Sequence, residues 1–441
     1  MAHDYDLVIV GAGFTGLSAA FNASNRGKKV LVIEKESSVG GLASTFLFSD
    51  GSEIEKYYHH WFSHDEYITS MAKKISIDDK IITLPSKTGM FYNKRIWNLS
   101  SPKDLLMFSP LSLLDRIRLG MLVFLVHLVR DWKKIEHLSI REWLEPMVGK
   151  RVYKLVWEPL VNSKFSEFSE DVSAVWMWKK LALRGSTRNK NGKEELSYIK
   201  GGFSNFAEAM KNNIIANGGE FLLEHSVLDV NTRDNIIESI TLNSNETVCG
   251  KNFLFTPSFK IIQEIFCKSS HHEWLQEISK IKYLANICLV LRLNQSLSDT
   301  YWLNVNDPGF PFVGVIEHTN FDTENDYGSN HIAYLSKYLS QNEKSWSMND
   351  EEYFSYAIEH LQKMFPNFQR NSVLEWKIWR TEYAQPITTK DYSKIIPNTK
   401  MPYTNGWIAT MAQIYPEDRG TNYALRDGEF VVNKIYANEN S

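Results

Sequence analysis

Close to its amino end the chain reads Asp6-Leu7-Val8-Ile9-Val10-Gly11-Ala12-Gly13-Phe14-Thr15-Gly16. Leu7 to Val10 is a short apolar run ending in glycine, the pattern of a buried parallel strand. Residues Thr15 to Arg26 are small and helically spaced, Gly27 stops them, and Lys29 to Ile33 is a second strand. The segment is one βαβ unit with G-x-G-x-x-G at its first turn. Gly11 makes the tight turn, Gly13 lets backbone meet a pyrophosphate, and Gly16 permits close packing of helix on strand. Phe14 and Thr15 open the helix, whose amino end offers amide donors and partial positive charge. Glu34, with Lys35 beside it, ends the second strand 18 residues after Gly16. A carboxylate there accepts the ribose hydroxyls and disfavours a 2′-phosphate, so the unit is read as a site for FAD or NAD rather than NADP.

The rest of the chain is consistent with such a unit. Its 441 residues suggest two domains, and 43% hydrophobic with 23% charged residues argues against disorder or a rod. Forty-nine basic against 52 acidic side chains leave a charge of -3, with no basic field for nucleic acid, so no nucleic-acid partner is expected. Cys249, Cys267 and Cys288 stand far apart with no CxxC, so neither a disulfide scaffold nor a metal site is expected. Seven of the 23 glycines fall in the first 51 residues, which places close backbone approach, and so the ligand, at this end. No basic start with a long apolar core precedes the first strand, and a cytoplasmic protein is expected.

Farther along, residues 101–180 turn helical, with a Ser-x-x-Glu capping box at Ser139/Glu142. Strand-like pieces follow at Glu220 to Leu223, Val227 to Val230, Ile236 to Leu242, Phe253 to Thr256, 287–293 and 310–317, with a helix over 350–364. The tail reads as a strand, Trp407 to Met411, a loop, and a helix from Thr421. No linker separates these parts. The expected fold is α/β: a Rossmann-like dinucleotide domain (1–95 with 195–265 and 395–441), interwoven with a mixed-sheet substrate domain (266–394) and a helical insertion (96–194). Leu119 to Val129 is apolar nearly all round, flanked by Arg116, Arg118, Arg130, Lys133 and Lys134, and too short to span a bilayer. It reads either as a buried helix or as a peripheral membrane contact within 111–134 that delivers a lipid-linked substrate.

Val39-Gly40-Gly41-Leu42-Ala43 completes a pattern of strand, glycine loop, acidic residue and second glycine pair. This resembles the two-loop FAD signature of the protoporphyrinogen oxidase and amine oxidase family, with its phytoene desaturase and UDP-galactopyranose mutase relatives. The resemblance implies FAD, with Gly40, Gly41, Leu42 and Ala43 passing the flavin side of the pyrophosphate. Trp407 to Ala424 is similar to the family's carboxyl-terminal FAD segment, implying cofactor contacts from Gln413, Arg419, Gly420 and Thr421, and from the backbone of Val227. Amine oxidases usually carry Arg after the glycine pair, where this chain has Leu42. The tail has no Cys or His, so the FAD is expected to be non-covalent.

Glu53 to Asp65 holds three histidines and four aromatics within Tyr57 to His64. Metal ligation, a packed aromatic cluster and the wall of a site all suit that composition. The spacing His60-x-Phe62-x-His64 is similar to the His-rich stretch near the flavin of UDP-galactopyranose mutases, which implies that His60 contacts the flavin or moves a proton. Arg380 and Tyr383, just before Pro386, are candidate catalytic residues, and Arg380 or Arg419 is suited to holding an anion. The function implied is an FAD-dependent oxidoreductase that oxidises or desaturates a small or lipid-linked substrate. A flavin-dependent sugar isomerase is the alternative.

Overall fold

The computed structural model describes residues 4–99, 101–186, 195–323 and 327–437. The chain opens with β1 (Tyr5–Val10), α1 (Phe14–Ser24) and β2 (Val30–Ile33), followed by the hairpin β3 (Thr88–Tyr92) and β4 (Arg95–Asn98). A helical layer comes next: α2 (Pro102–Met107), α3 (Leu113–His127), α4 (Ile140–Val148), α5 (Glu158–Phe165) and α6 (Ala174–Ser186). Then come α7 (Gly202–Ala216), β5 (Glu220–Leu222), β6 (Val227–Arg233), β7 (Ile236–Leu242) and β8 (Thr247–Phe255). A second set of strands is β9 (Tyr283–Leu293), β10 (Trp302–Val305), β11 (Gly314–Glu317) and β12 (His331–Leu339). The chain closes with α8 (Asp350–Met364), β13 (Val373–Pro386), β14 (Gly406–Ile408) and α9 (Thr421–Ile435).

β1 is apolar on successive residues because both of its faces are covered. Leu7 and Ile9 pack with α1, while Val8 and Val10 pack with Phe255, Ile262 and Trp274 on the opposite side. β1 pairs in parallel with β2 and β8, and the sheet runs β5-β2-β1-β8-β7-β6, with β14 added beside β8. The second sheet runs β13-β9-β12-β11-β10-β3-β4. Its long strand β9, paired with β13 and β12, sends Cys288 and Val290 toward the dinucleotide core, and Ile287, Leu289 and Leu291 toward α8.

The expected domain limits shift accordingly. Residues 88–98 do not belong with the first sheet, because β3 pairs with β10 through Trp302↔Thr88. Residues 266–282 belong with the first sheet rather than the second, since Phe266, Trp274 and Ile278 pack beside Val8 and Phe255. The helical insertion holds α2 to α6, and its end at 187–194 lies outside the described residues. The Ser139/Glu142 box caps α4 with bonds of 3.2 and 2.7 Å. The tail strand ends at Ile408, three residues early, because the Thr410 side chain caps a short turn over Met411–Gln413.

α3 settles the reading of its segment. Leu122 and Val126 face the protein, but Leu114, Ile117, Met121, Phe124 and Leu128 recur at steps of three and four and face outward. Phe124 is 75% and Leu128 74% exposed, so the buried-helix expectation does not hold for this stripe. Leu106 and Met107 of α2 extend it, with exposed Arg118, Arg130, Lys133 and Lys134 around it. Among the described residues no helix is long and apolar enough to cross a membrane.

Candidate active site

The glycine loops show which positions shape the fold and which leave room. Gly11 has φ +101°, and a Cβ there would lie 2.4 Å from Thr256 Oγ1. A Cβ on Gly16 would lie 1.9 Å from the Gly11 carbonyl oxygen, so only glycine lets α1 leave the strand this closely. Around Gly13 the closest atom to such a Cβ is Gly41 Cα at 4.0 Å. The second loop lies against the first: Gly40 N–H donates to the Ala12 carbonyl at 2.9 Å, and Gly13 bridges to Gly40. Gly40 and Gly41 have φ +110° and +60°, and Leu42 and Ala43 complete a turn that buries Ala43. No side chain caps the amino end of α1, which opens toward this double loop.

Other expected cofactor residues divide between cleft and framework. The Glu34 carboxylate accepts the Ala12 N–H at 2.7 Å and is buried beside the loop, whereas Lys35 is exposed next to Glu36. His225 N–H donates to the Glu34 carbonyl at 2.9 Å, bringing the start of β6 and Val227 to the same edge. Phe14 turns its ring into Phe203 and Phe206, so its side chain packs rather than faces a ligand. Gln413 does not face the cleft: its amide oxygen accepts Thr410 N–H and its nitrogen donates to Pro397 O, locking its own loop. Gly420 and Thr421 begin α9, and a Cβ on Gly420 would meet nothing within 4 Å.

α9 is brought to the dinucleotide loop by its contact with α1. A Cβ on Gly428 would sit 2.4 Å from Thr15 O and 2.6 Å from Ser18 Cβ, so the two helices touch backbone to backbone. Ser18 Oγ donates to Leu425 O at 2.6 Å within that contact, and Asn422 Oδ1 accepts the N–H groups of Tyr67 and Ile68.

The facing wall hangs from Glu55. This buried carboxylate accepts Tyr198 O–H and Phe203 N–H at 2.8 Å; burial pushes its pKa up, against the pull of His318 and these donors. The Glu55 carbonyl accepts Tyr334 O–H at 2.9 Å. Residues 57–60 that follow are not a strand, and each side chain is fixed separately. Tyr57 bonds Thr381 of β13, Tyr58 sets its edge on Trp302, and His59 lies 5.3 Å from the Phe203 ring. Tyr57, Tyr58 and His59 are deeply enclosed yet keep accessible surface, which marks the wall of an internal cleft.

His59 shares this enclosure with Arg419. His60 turns to Tyr301, with Nδ1 2.8 Å from its hydroxyl, and to the edge of Trp302, while His64 stacks on Phe62. Arg380 is not brought to the site, because alternation along β13 puts Trp379 and Thr381 toward Phe46 and Tyr57 and Arg380 on the opposite face, paired with Asp350. Tyr383 is also turned away, its ring against Tyr283 at 5.8 Å. In their place Tyr338 of β12, Lys164 of α5, Trp176 and Lys180 of α6, and Asp418 gather beside Arg419. These come from four separate segments, and in the sequence only Trp176, in a tryptophan-rich stretch, and Arg419, before the last helix, hinted at them. On Asp418, burial raises the pKa, but Lys180 and Lys164 overcome it and hold the carboxyl well below its usual range.

One consequence concerns pH. Burial, reinforced by Arg419, pushes His59 from 6.5 down to about 4, although Tyr57 O accepts from its ring and opposes this. Between these values the unfolded chain binds more protons than the native one, so stability is lost as pH falls from 6.5 toward 4. His59→Gln is expected to shrink the drop in melting temperature between pH 7 and pH 4.5. A variant whose melting curve tracks the unsubstituted protein at every pH contradicts the enclosure.

A largely parallel dinucleotide sheet, a double glycine loop and an aromatic cleft between loop and second sheet suit a protein built around a bound nucleotide cofactor. Residues 14–409 match the family of flavin containing amine oxidoreductases. The chain is 20% identical over 418 residues to 15-cis-phytoene desaturase of Glycine max, covering 89% of this chain and 71% of that protein. Its fold matches a putative protoporphyrinogen oxidase from Exiguobacterium sp. 255-15 (TM-score 0.78, 15% identity, 99% and 100% coverage). It also matches a reduced UDP-galactopyranose mutase (TM-score 0.75, 16% identity, 98% and 96% coverage). The chain therefore belongs to the flavin-containing amine oxidoreductases and is a flavin-dependent oxidoreductase.

Proposed function

We propose that the protein binds FAD non-covalently and oxidises or desaturates an organic substrate that it meets at a membrane surface. The observation that carries the cofactor assignment is the contact between the two glycine loops, with open space at Gly13 and Gly420 and none at Gly16. Gly13, Gly40 and Gly41 suit a pyrophosphate, Glu34 an adenosine ribose, and the amino end of α9 the electron-rich edge of a reduced isoalloxazine. When bound, FAD supplies the two-electron acceptor, while the chain orients the substrate and excludes water. The half-buried Tyr57 and Tyr58 are the aromatic surfaces available to the substrate. The isomerase alternative is not pursued, because the family and the desaturase relatives favour oxidation.

Purified protein is expected to be yellow, with FAD released by heat or acid. Anaerobic addition of candidate substrates should bleach the flavin band only for a true substrate. Protein that stays colourless after incubation with FAD rules the assignment out.

The membrane contact rests on the outward stripe of α3 and its basic surround, acting at the anionic cytoplasmic leaflet. Exchanging Leu114, Phe124 and Leu128 together for Ser is expected to weaken binding to phosphatidylglycerol vesicles by ~10-fold or more, since each buries an apolar side chain. Melting temperature should hold, because all three are exposed. Equal cosedimentation of both proteins removes the membrane from the proposal.

A further inference from the structure

We propose that the cleft takes an organic anion, a carboxylate or a phosphate ester on an apolar body, with Lys164 and Arg419 holding the charged end. This rests on the reading of the cleft as the substrate site and narrows the substrate class.

The ammonium of Lys164 is boxed by aromatic rings, 4.9 Å from Tyr338, 5.1 Å from Trp176 and 5.9 Å from Phe165. Among the described residues it has no carboxylate within ion-pair distance. Asp418, whose charge reaches it, is already engaged by Lys180 at 2.8 Å and by Trp176 Nε1 at 3.2 Å. Glu417 is likewise taken, by Lys179 and Arg426. Arg419 bonds two neutral oxygens, Gln385 Oε1 at 3.1 Å and Tyr338 Oη at 2.9 Å.

Among the described residues, three other part-buried arginines are paired with carboxylates. Arg292 meets Asp50 and Glu375, Arg426 meets Asp427 and Glu417, and Arg380 meets Asp350. Lys164, Lys180 and Arg419 together face Asp418, leaving an excess of positive charge inside the cleft. Burial pushes the Lys164 ammonium well below its usual pKa, as do Lys180 and Arg419 against Asp418. An enclosed charge without a counter-ion is costly, and a bound anion relieves that cost.

A guanidinium fork beside an ammonium matches a carboxylate or phosphate, and the half-buried Tyr57 and Tyr58 offer aromatic surface to the attached body. The same cations repel a protonated amine, so the cleft disfavours ammonium substrates despite the family's name. α6 also joins this recess to the outward helix: Trp178 Nε1 donates to Val126 O of α3 at 3.1 Å.

The test is calorimetric titration of the flavin-loaded protein with hexanoate, hexyl phosphate, hexan-1-ol and hexylamine. At least one anion is expected to bind ~10-fold or more tightly than the alcohol, and the amine more weakly still; which anion leads separates carboxylate from phosphate. Lys164→Met and Arg419→Gln should each lose ~10-fold or more of that preference, the usual effect of removing a charged hydrogen-bond donor, while the alcohol binds as before. Lys164→Met should also melt at or above the temperature of the unsubstituted protein, where a purely structural cation would lower it. Equal binding of alcohol and anions, no binding of any, or an unchanged preference in Lys164→Met overturns the proposal. So does loss of absorbance near 450 nm in Lys164→Met, which would assign the cations to the cofactor. Colourless protein that still prefers the anion defeats only the flavin assignment, since heat of binding is read with or without colour.

Discussion

Gly13→Val is expected to yield folded protein that carries no flavin. Gly13 has φ -69° and ψ 174°, a conformation open to any residue, and a Cβ there meets nothing closer than 4.0 Å. The fold therefore tolerates the side chain, which occupies the space where backbone must meet a pyrophosphate. Forcing branched carbons into a close contact costs about 3 kcal/mol at the upper end, so affinity for FAD should fall by ~100-fold. Gly16→Val supplies the contrast. Its Cβ would stand 1.9 Å from the Gly11 carbonyl oxygen, an atom fixed by the strand-to-helix turn, so this variant loses the fold along with the cofactor. Circular dichroism melting separates the two, and flavin absorbance after gel filtration reports occupancy. Full occupancy in Gly13→Val would place the phosphates elsewhere.

Gly428→Ala is expected to destabilise the protein, although the same change inside an isolated helix stabilises it by about 1 kcal/mol. The new methyl would lie 2.4 Å from Thr15 O, 2.6 Å from Ser18 Cβ and 2.9 Å from Ala19 N. Two of these atoms are backbone and cannot rotate aside, so α9 must move away from α1. Overpacking of this kind costs about 1–3 kcal/mol, and the rigid neighbours place the net loss near the middle of that range, about 2 kcal/mol. Because Gly420 and Thr421 ride on α9, its displacement also withdraws the helix end from the cleft, and flavin should be released at lower temperature than before. Gly428→Leu should be more severe. A Gly428→Ala protein that melts higher would show propensity prevailing and the helices free to separate.

Much of the dinucleotide half was legible because its determinants are local. Apolar runs too short for helices, a glycine string between strand and helix, and a carboxylate at the end of the next strand each act over a few residues. The second glycine pair was legible for the same reason, though only its resemblance to a family tied it to the first loop. Reading failed where alternation decides which way a side chain points. Arg380 is of a suitable type, yet it lies on the α8 face of β13, paired with Asp350. For α3, the sequence alone left open whether its apolar face is covered, because that depends on what packs there.

The amino-acid sequence by itself determined that this chain builds a βαβ nucleotide unit, since the strand, turn and helix are stabilised within thirty or so residues. Packing between distant segments, by contrast, set the last helix on the first and enclosed His59 with Arg419. It alone brought together Lys164, Tyr338 and Arg419 from a helix, a strand and a terminal loop. Such groupings come from packing between segments far apart in the chain, and no local pattern encodes them.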